Sequence, residues 1–141
     1  MSKVQKQIVI YIFLILGFIG CSKPQKESNK KINVTVSIVT YADFVKNIGG
    51  EKVNVNTMIP QNSNPHDYEP IPSQIVDLAK SDVYFKIGKY FDFEDVLLNK
   101  VKDVKADLKV VDCSNGITFI DKDPHVWLGI DEVKIILSNI Y

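Results

Sequence analysis

Two proline-histidine segments are the parts of this 141-residue chain whose residue types and spacing best suit chemistry. The chain has two histidines, His66 in residues 64–70 (NPHDYEP) and His125 in residues 123–128 (DPHVWL). Proline fixes its own φ and restricts the residue before it, so the backbone that leads into each imidazole is stiff. Because neutral imidazole is the commonest metal ligand among side chains, the two segments together predict a metal site.

Carboxylates lie beside both histidines in the sequence. Asp67, Glu69 and Asp123 could accept hydrogen bonds from the imidazoles and so orient them toward an ion. Turn formation or helix capping is the competing interpretation, and it is the stronger one for Asp67 and Glu69. For Asp123, which precedes a proline, both interpretations remain open.

An enzymatic site is the weaker interpretation of the same residues. Cys113, His125 and a carboxylate could form a nucleophilic set. However, Cys113 follows a predicted strand with no cation beside it, which favours a buried, inert thiol. The sequence has no Gly-x-Ser-x-Gly elbow, no Walker loop and no HExxH helix. We therefore expect a binding protein and not an enzyme.

The first residues of the chain predict export and anchoring. Residues 1–21 combine two early lysines, an apolar run and a cysteine after glycine, as in a bacterial lipoprotein signal peptide with Cys21 as the lipidation site. An uncleaved anchor helix is the alternative, although the apolar run is short for a membrane span. Residues 22–31 are polar and predict a flexible tether. Residues 32–141 would then lie outside the cytoplasmic membrane, in the periplasm or at the cell surface.

Composition limits the partners that the chain can bind. The formal net charge is 0, the pI is about 6.7, and every basic residue is lysine. A neutral chain offers no strong electrostatic attraction to nucleic acid. Lysine alone also cannot grip a phosphate in the bidentate way that arginine does. We therefore expect no nucleic-acid partner.

Strands and helices alternate along residues 32–141, which predicts an α/β fold with helices flanking a parallel sheet on both faces. We expect Thr40 to cap the first helix and Val96 to lie on the buried side of the third. Each histidine follows the carboxyl end of a strand, where such sheets bind ligands, so both should lie on one rim. The predicted strands cover residues 32–39, 53–59, 83–87 and 109–111, and the helices residues 41–48, 72–80, 91–101 and 131–140.

The two histidine segments, in this order, resemble the two signatures of the cluster A-I metal-binding lipoproteins, the solute-binding components of zinc and manganese ABC importers. The lipobox-like start at Cys21 and the helix end at Gly49 and Gly50 also fit. The resemblance implies two α/β lobes joined by a long helix, with a divalent ion, Zn²⁺ or Mn²⁺, between them. It implies that His66 and His125 are the ligands of the amino-terminal lobe. An ABC permease and, through a lipid anchor, the membrane are the implied partners.

The other pair of family ligands has no counterpart in this chain, and the last helix runs into Tyr141 without a stop signal. We therefore expect a single amino-terminal lobe that ends within a helix and holds half of a metal site, which a second lobe or a second chain would complete. The sequence does not decide whether the bound ion is zinc or manganese. Residues 117–122 do not form a His-rich loop, which favours manganese or a general preference for divalent ions. The alternatives are a truncated non-functional product, an adhesin-like surface lipoprotein and a metal-dependent hydrolase.

Overall fold

A parallel four-stranded sheet organises the part of the chain described by the computed structural model, namely Val4 and residues 30–141. The strands are β1 (Ile32–Val36), β2 (Val53–Thr57), β3 (Val83–Lys86) and β4 (Lys109–Asp112). They lie in the order β2-β1-β3-β4, and every neighbouring pair is parallel. Apart from Val4, the predicted signal peptide with Cys21 lies outside the described residues, as do residues 22–29 of the tether. No described helix is long and apolar enough to cross a membrane.

Within residues 30–141, four α-helices cover both faces of the sheet. They are α1 (Val39–Gly49), α2 (Pro72–Ala79), α3 (Asp92–Lys102) and α4 (Ile130–Ile140). Helix α1 packs against β1, β2 and α4, whereas α2 packs against α3. The chain moves in one direction across the sheet from β1 to β2 and in the opposite direction from β2 to β3 and β4. Because crossovers between parallel strands are right-handed, this reversal places α1 on one face of the sheet and α2 and α3 on the other. The predicted α/β fold is therefore confirmed.

The core lies on both faces of the two central strands, β1 and β3. Val34 and Val36 of β1 are buried, as are Tyr84 and Phe85 of β3. A strand covered on both faces has no solvent side, which explains why the consecutive residues 34–36 of β1 and 83–85 of β3 are all buried. The helices contribute further buried side chains to this core: Tyr41, Val45, Leu78, Leu97, Val101, Ile136 and Ile140.

The first helix begins earlier than predicted. Ile38 and Val39 continue the β-branched pattern of β1, but Val39 already belongs to α1, whose N-cap is Ile38 with no side-chain capping bond. The prediction that Thr40 caps this helix was therefore wrong, because Thr40 lies inside the first turn. The predicted glycine stop is confirmed: Gly50 has a φ of 53°, a left-handed conformation that favours glycine.

The buried side of α3 also differs from the prediction. Val96 is 52% exposed, whereas Phe93, Leu97 and Val101 are buried. At about 100° per residue, these three side chains share one stripe with Glu94, which is buried as well. The stripe runs from Phe93 through Leu97 and Val101 to Glu94, and Val96 lies outside it and projects to solvent. This buried carboxylate proves central to the site described next.

Candidate metal centre

The carboxyl ends of β1 and β3 form the crevice in which a ligand is expected. From β1 the chain crosses to β2 at one edge, and from β3 it crosses to β4 at the other edge. In open α/β sheets, ligands bind where the strand order reverses in this way. His66 lies in the loop after β2 and His125 in the loop after β4, so each histidine loop begins at an edge strand and approaches the central crevice.

Asn64 holds the loop that carries His66. Its side-chain oxygen accepts a hydrogen bond of 3.1 Å from the backbone N–H of His66, and its amide donates one of 2.5 Å to the carboxylate of Asp67. This is the local pattern by which asparagine stabilises a turn. The Asp67 carboxylate is therefore engaged in the turn, which agrees with the competing interpretation of that residue. Glu69 is exposed and lines a hollow beside His66.

Asp123 binds His125 through both backbone and side chain. One oxygen of its carboxylate accepts a 3.0 Å hydrogen bond from the His125 backbone N–H and lies 2.5 Å from the ring atom Nδ1. The backbone hydrogen bond, followed by the ring contact, lowers the pKa of the Asp123 carboxyl. An ionised Asp123 stabilises the tautomer with a proton on Nδ1, and this tautomer leaves the Nε2 lone pair of His125 free.

The two imidazoles lie side by side at this rim. Their ring centres are 5.6 Å apart, with an angle of 62° between the ring planes. An ion bound at about 2.1 Å from a ring nitrogen lies roughly 3 Å from that ring's centre, so two tetrahedrally arranged imidazoles have centres about 5 Å apart. The expectation that both histidines share one rim is met, and their spacing is compatible with one shared ion.

Aromatic side chains form the floor beneath the two imidazoles. The ring centre of Phe91 lies 5.9 Å from that of His66, and the ring centre of Trp127 lies 5.1 Å from that of His125. Phe91 and Trp127 also contact each other edge-on at 6.5 Å. Trp127 packs against the core through Tyr41, at 6.3 Å. Core packing therefore sets the height and tilt of both imidazoles.

The described residues do not form a complete metal site by themselves. Within residues 30–141, no group of three or more His, Cys, Asp or Glu side chains is arranged to hold a metal ion. Both histidine side chains are exposed on the rim and can be reached from solvent. This arrangement can offer two neutral nitrogen donors and one orienting carboxylate, but not a closed coordination shell.

Glu94 is the important residue of this region that sequence analysis missed. Its side chain is fully buried at the crevice, and its carboxylate accepts hydrogen bonds from the backbone N–H groups of Ile87 at 2.7 Å and Gly88 at 3.0 Å. The hydroxyl of Ser37 also donates to it, and Tyr84 lies within 3.3 Å. Its position next to Val101 on the helical wheel was the available signal, because that position places a charged group at the edge of the buried stripe of α3.

Burial and hydrogen bonding oppose each other at Glu94. Burial raises the pKa of this carboxyl to about 7, although the hydrogen bonds from Ser37, Gly88 and Ile87 and the charge of Lys86 all lower it. Desolvation penalises the charged form, whereas the donors favour it. The charge of this group therefore changes near neutral pH.

Cys113 has the environment of an inert thiol. It is fully buried after β4, and burial raises its pKa far above the ordinary value. Nucleophilic chemistry needs the thiolate, which this environment suppresses. The weaker sequence hypothesis of a Cys113–His125 nucleophilic set therefore gains no support from the structure.

Comparison with known proteins gives one consistent family. A family model described as the periplasmic zinc-uptake complex component A matches residues 34–141. The manganese ABC transporter substrate-binding lipoprotein PsaA of Streptococcus pneumoniae is 26% identical over 99% of this chain and 50% of its own length. The corresponding lipoprotein ScaA of Streptococcus gordonii is 28% identical over 96% of this chain and 50% of its own length.

Solved structures give the same result. A crystal structure of ZnuA has a TM-score of 0.73 and 37% identity, covering 79% of this chain and 45% of that one. The solute-binding protein FpvC of Pseudomonas aeruginosa, in complex with Mn²⁺, has a TM-score of 0.71 and 25% identity, covering 79% and 42%. The chain spans about half the length of the curated relatives it matches.

Proposed function

Because the chain belongs to the family of periplasmic zinc-uptake complex component A, whose model matches residues 34–141, we propose that it captures a divalent metal ion for an ABC importer. Residues 32–141 would be the amino-terminal metal-binding lobe of an extracytoplasmic solute-binding lipoprotein. The observation that carries this proposal is the pair of exposed imidazoles, 5.6 Å apart, at the crevice of the sheet. The ion is cargo here, and either zinc or manganese is compatible with two imidazole donors.

His66 and His125 are the proposed metal ligands, each through one ring nitrogen. The 2.5 Å contact of Asp123 with Nδ1 of His125 supports a role for Asp123 in orienting that ring, with Nε2 facing the ion. Asp67 supports the His66 loop through Asn64, and Glu69 adds negative charge near the rim. Neither of these two carboxylates contributes a ligand in this proposal.

Two imidazoles alone make a half-site. Zinc sites in proteins generally have four ligands, and even catalytic ones keep three protein ligands. A second lobe or a second chain that faces this rim would therefore supply the remaining donors. With only the present two, affinity among divalent ions would follow intrinsic metal preference, since no imposed geometry selects among them.

We further propose where the protein works and with which partners. Residues 1–21 would act as a lipoprotein signal peptide with Cys21 as the lipidation site, and residues 22–31 would tether the lobe to the membrane surface. The matched relatives carry names of ABC transporter substrate-binding lipoproteins, which supports an ABC permease as partner and binding without catalysis. Those names do not favour the alternatives of a non-functional product, an adhesin-like lipoprotein or a hydrolase.

Metal titration tests the ligand assignment. The full-length chain, purified in mild detergent, is titrated with Zn²⁺ and Mn²⁺ beside His66→Ala and His125→Ala, with Lys122→Ala as a surface control from the loop before His125. We expect each histidine variant to weaken binding at least about tenfold, while the control binds as the wild type does. The assignment fails if the wild type binds neither ion better than the two histidine variants do.

A further inference from the structure

The buried Glu94 carboxylate closes a short loop that lies directly beneath the histidine pair. Glu94 stands in the first turn of α3 and binds back to the N–H groups of Ile87 and Gly88, at the end of β3. We call residues 87–94 the clamp loop. We propose that Glu94 is a positioning residue that fixes the clamp loop and thereby sets the metal-binding geometry of His66, an inference that rests on the proposed metal function.

The Glu94 carboxylate accepts hydrogen bonds from three separate donors. Ile87 and Gly88 can only donate through their backbone N–H groups, and Ser37 donates its hydroxyl hydrogen to Glu94. The hydroxyl of Tyr84 contacts Ser37 and lies 3.3 Å from Glu94. A carboxylate is an acceptor at both oxygens and satisfies all of these donors, whereas a neutral amide would bring an N–H₂ group against one of them. Glu94 thus joins the ends of β1 and β3 to the start of α3.

The backbone of the clamp loop is conformationally restricted between β3 and α3. Gly88 has a φ of 131° and Tyr90 a φ of 69°, two positive values within three residues. Such a backbone persists only when its surroundings hold it, because non-glycine residues at positive φ are strained. Removing the carboxylate should therefore let the loop relax away from this conformation.

Phe91 transmits the loop position to the metal site. Its side chain is 3% exposed, and its ring lies 5.9 Å from the ring of His66. It also contacts Trp127, whose ring lies 5.1 Å from that of His125. A shift of the clamp loop would therefore move the support under His66 first and that under His125 second.

The surroundings of Glu94 allow its charge to be tested. The titratable groups that face it are Tyr41 from α1, Tyr84 and Lys86 from β3, and Cys113 after β4. Lys86 is the cation among them, and its ammonium lies 3.6 Å from the Asp112 carboxylate. Since the pKa of Glu94 is about 7, the ionised clamp prevails above neutral pH. A glutamine at position 94 imitates the protonated state at every pH.

Zinc titration with matched variants tests the clamp. Full-length wild type, Glu94→Gln, Ser37→Ala and Phe91→Leu are compared with Val101→Ala, which opens a cavity in the same helix away from the clamp. At about pH 8 we expect Glu94→Gln and Phe91→Leu to bind zinc about tenfold more weakly, with a smaller loss for Ser37→Ala and none for Val101→Ala. The ratio of wild-type to Glu94→Gln affinity should shrink toward one at about pH 6, where the wild-type carboxyl is protonated.

NMR of the metal-free protein provides the second readout. The ring-proton signals of His66 should shift in Glu94→Gln and Ser37→Ala, because Phe91 moves, and should stay in place in Val101→Ala. Unchanged His66 signals, or an affinity ratio that does not depend on pH, would overturn the clamp even if zinc binds tightly. If wild type binds no zinc, the proposed function fails first, and the role of Glu94 in metal binding fails with it. Should Glu94→Gln not fold, the zinc affinity and the His66 signals of Ser37→Ala decide between these outcomes.

Discussion

Replacing Glu94 with glutamine should change how the stability of the fold depends on pH. Burial raises the pKa of this carboxyl from 4.5 to about 7 in the folded chain. The folded state therefore holds the Glu94 proton to a higher pH than the unfolded state does. The resulting stabilisation is fully present below about pH 4.5 and is lost as the pH rises to about 7.

The expected size follows from the same two pKa values. The difference between 4.5 and about 7, at about 1.36 kcal/mol per pH unit, amounts to roughly 3 kcal/mol. A loss of that size is large against the roughly 5–15 kcal/mol that stabilise a typical domain. Because the glutamine side chain cannot ionise, the Glu94→Gln variant lacks this pH-dependent contribution, whatever its absolute stability.

Urea denaturation of both proteins from about pH 4 to about pH 8 measures this pH-dependent contribution to the free energy of unfolding. The free energy of unfolding of Glu94→Gln minus that of wild type should rise by about 3 kcal/mol over this range, since contributions from all other groups cancel. Asp95→Asn, at an exposed position on the same helix, controls for the loss of one carboxylate. Parallel stability curves for wild type and Glu94→Gln would show that Glu94 is not desolvated in the folded state, and would refute the reasoning.

Three further substitutions or reactions test other buried groups. Tyr41→Phe should raise the free energy of unfolding by about 1 kcal/mol in urea denaturation, because the buried Tyr41 hydroxyl has no hydrogen-bond partner among the described residues. Gly88→Ala should lower it by about 3 kcal/mol, measured by thermal denaturation, because the φ is 131° and the new Cβ would collide with Ser114. Cys113 should react with a maleimide only in denaturant, as burial protects the thiol and raises its pKa.

The order and type of the helices and strands could be predicted because two periodicities alternate along the chain. The boundaries were less certain where apolar residues continue past a strand. Ile38 and Val39 extend the β-branched run of β1, yet Ile38 is the N-cap of α1 and Val39 its first residue, so residue type alone did not show where the strand ended. The glycine stop of α1 was predictable because its positive φ admits few other residues.

The histidine pair could be placed on one rim because topology alone brings the ends of parallel strands together. The 5.6 Å ring spacing depends on side-chain packing over Phe91 and Trp127, which no local pattern encodes. The clamp was missed because a glutamate in a helix is normally solvated, and the donors that compensate its burial lie outside α3, at Ser37, Ile87 and Gly88. The ligand assignment itself stays a prediction until metal binding is measured.

The two histidine loops follow the two outermost strands, and this connectivity has a consequence for folding. An ion held by both imidazoles would cross-link positions 59 residues apart, 125 minus 66, and so act as a reversible staple between the two edges of the sheet. Because the two imidazoles come together only in the folded chain, such an ion would stabilise the fold by mass action and, unlike a disulfide, would not constrain the unfolded chain. The bound ion would then stabilise β2 and β4 at the same time. Slower amide exchange would appear at both edges of the sheet at once, although neither strand touches the ion.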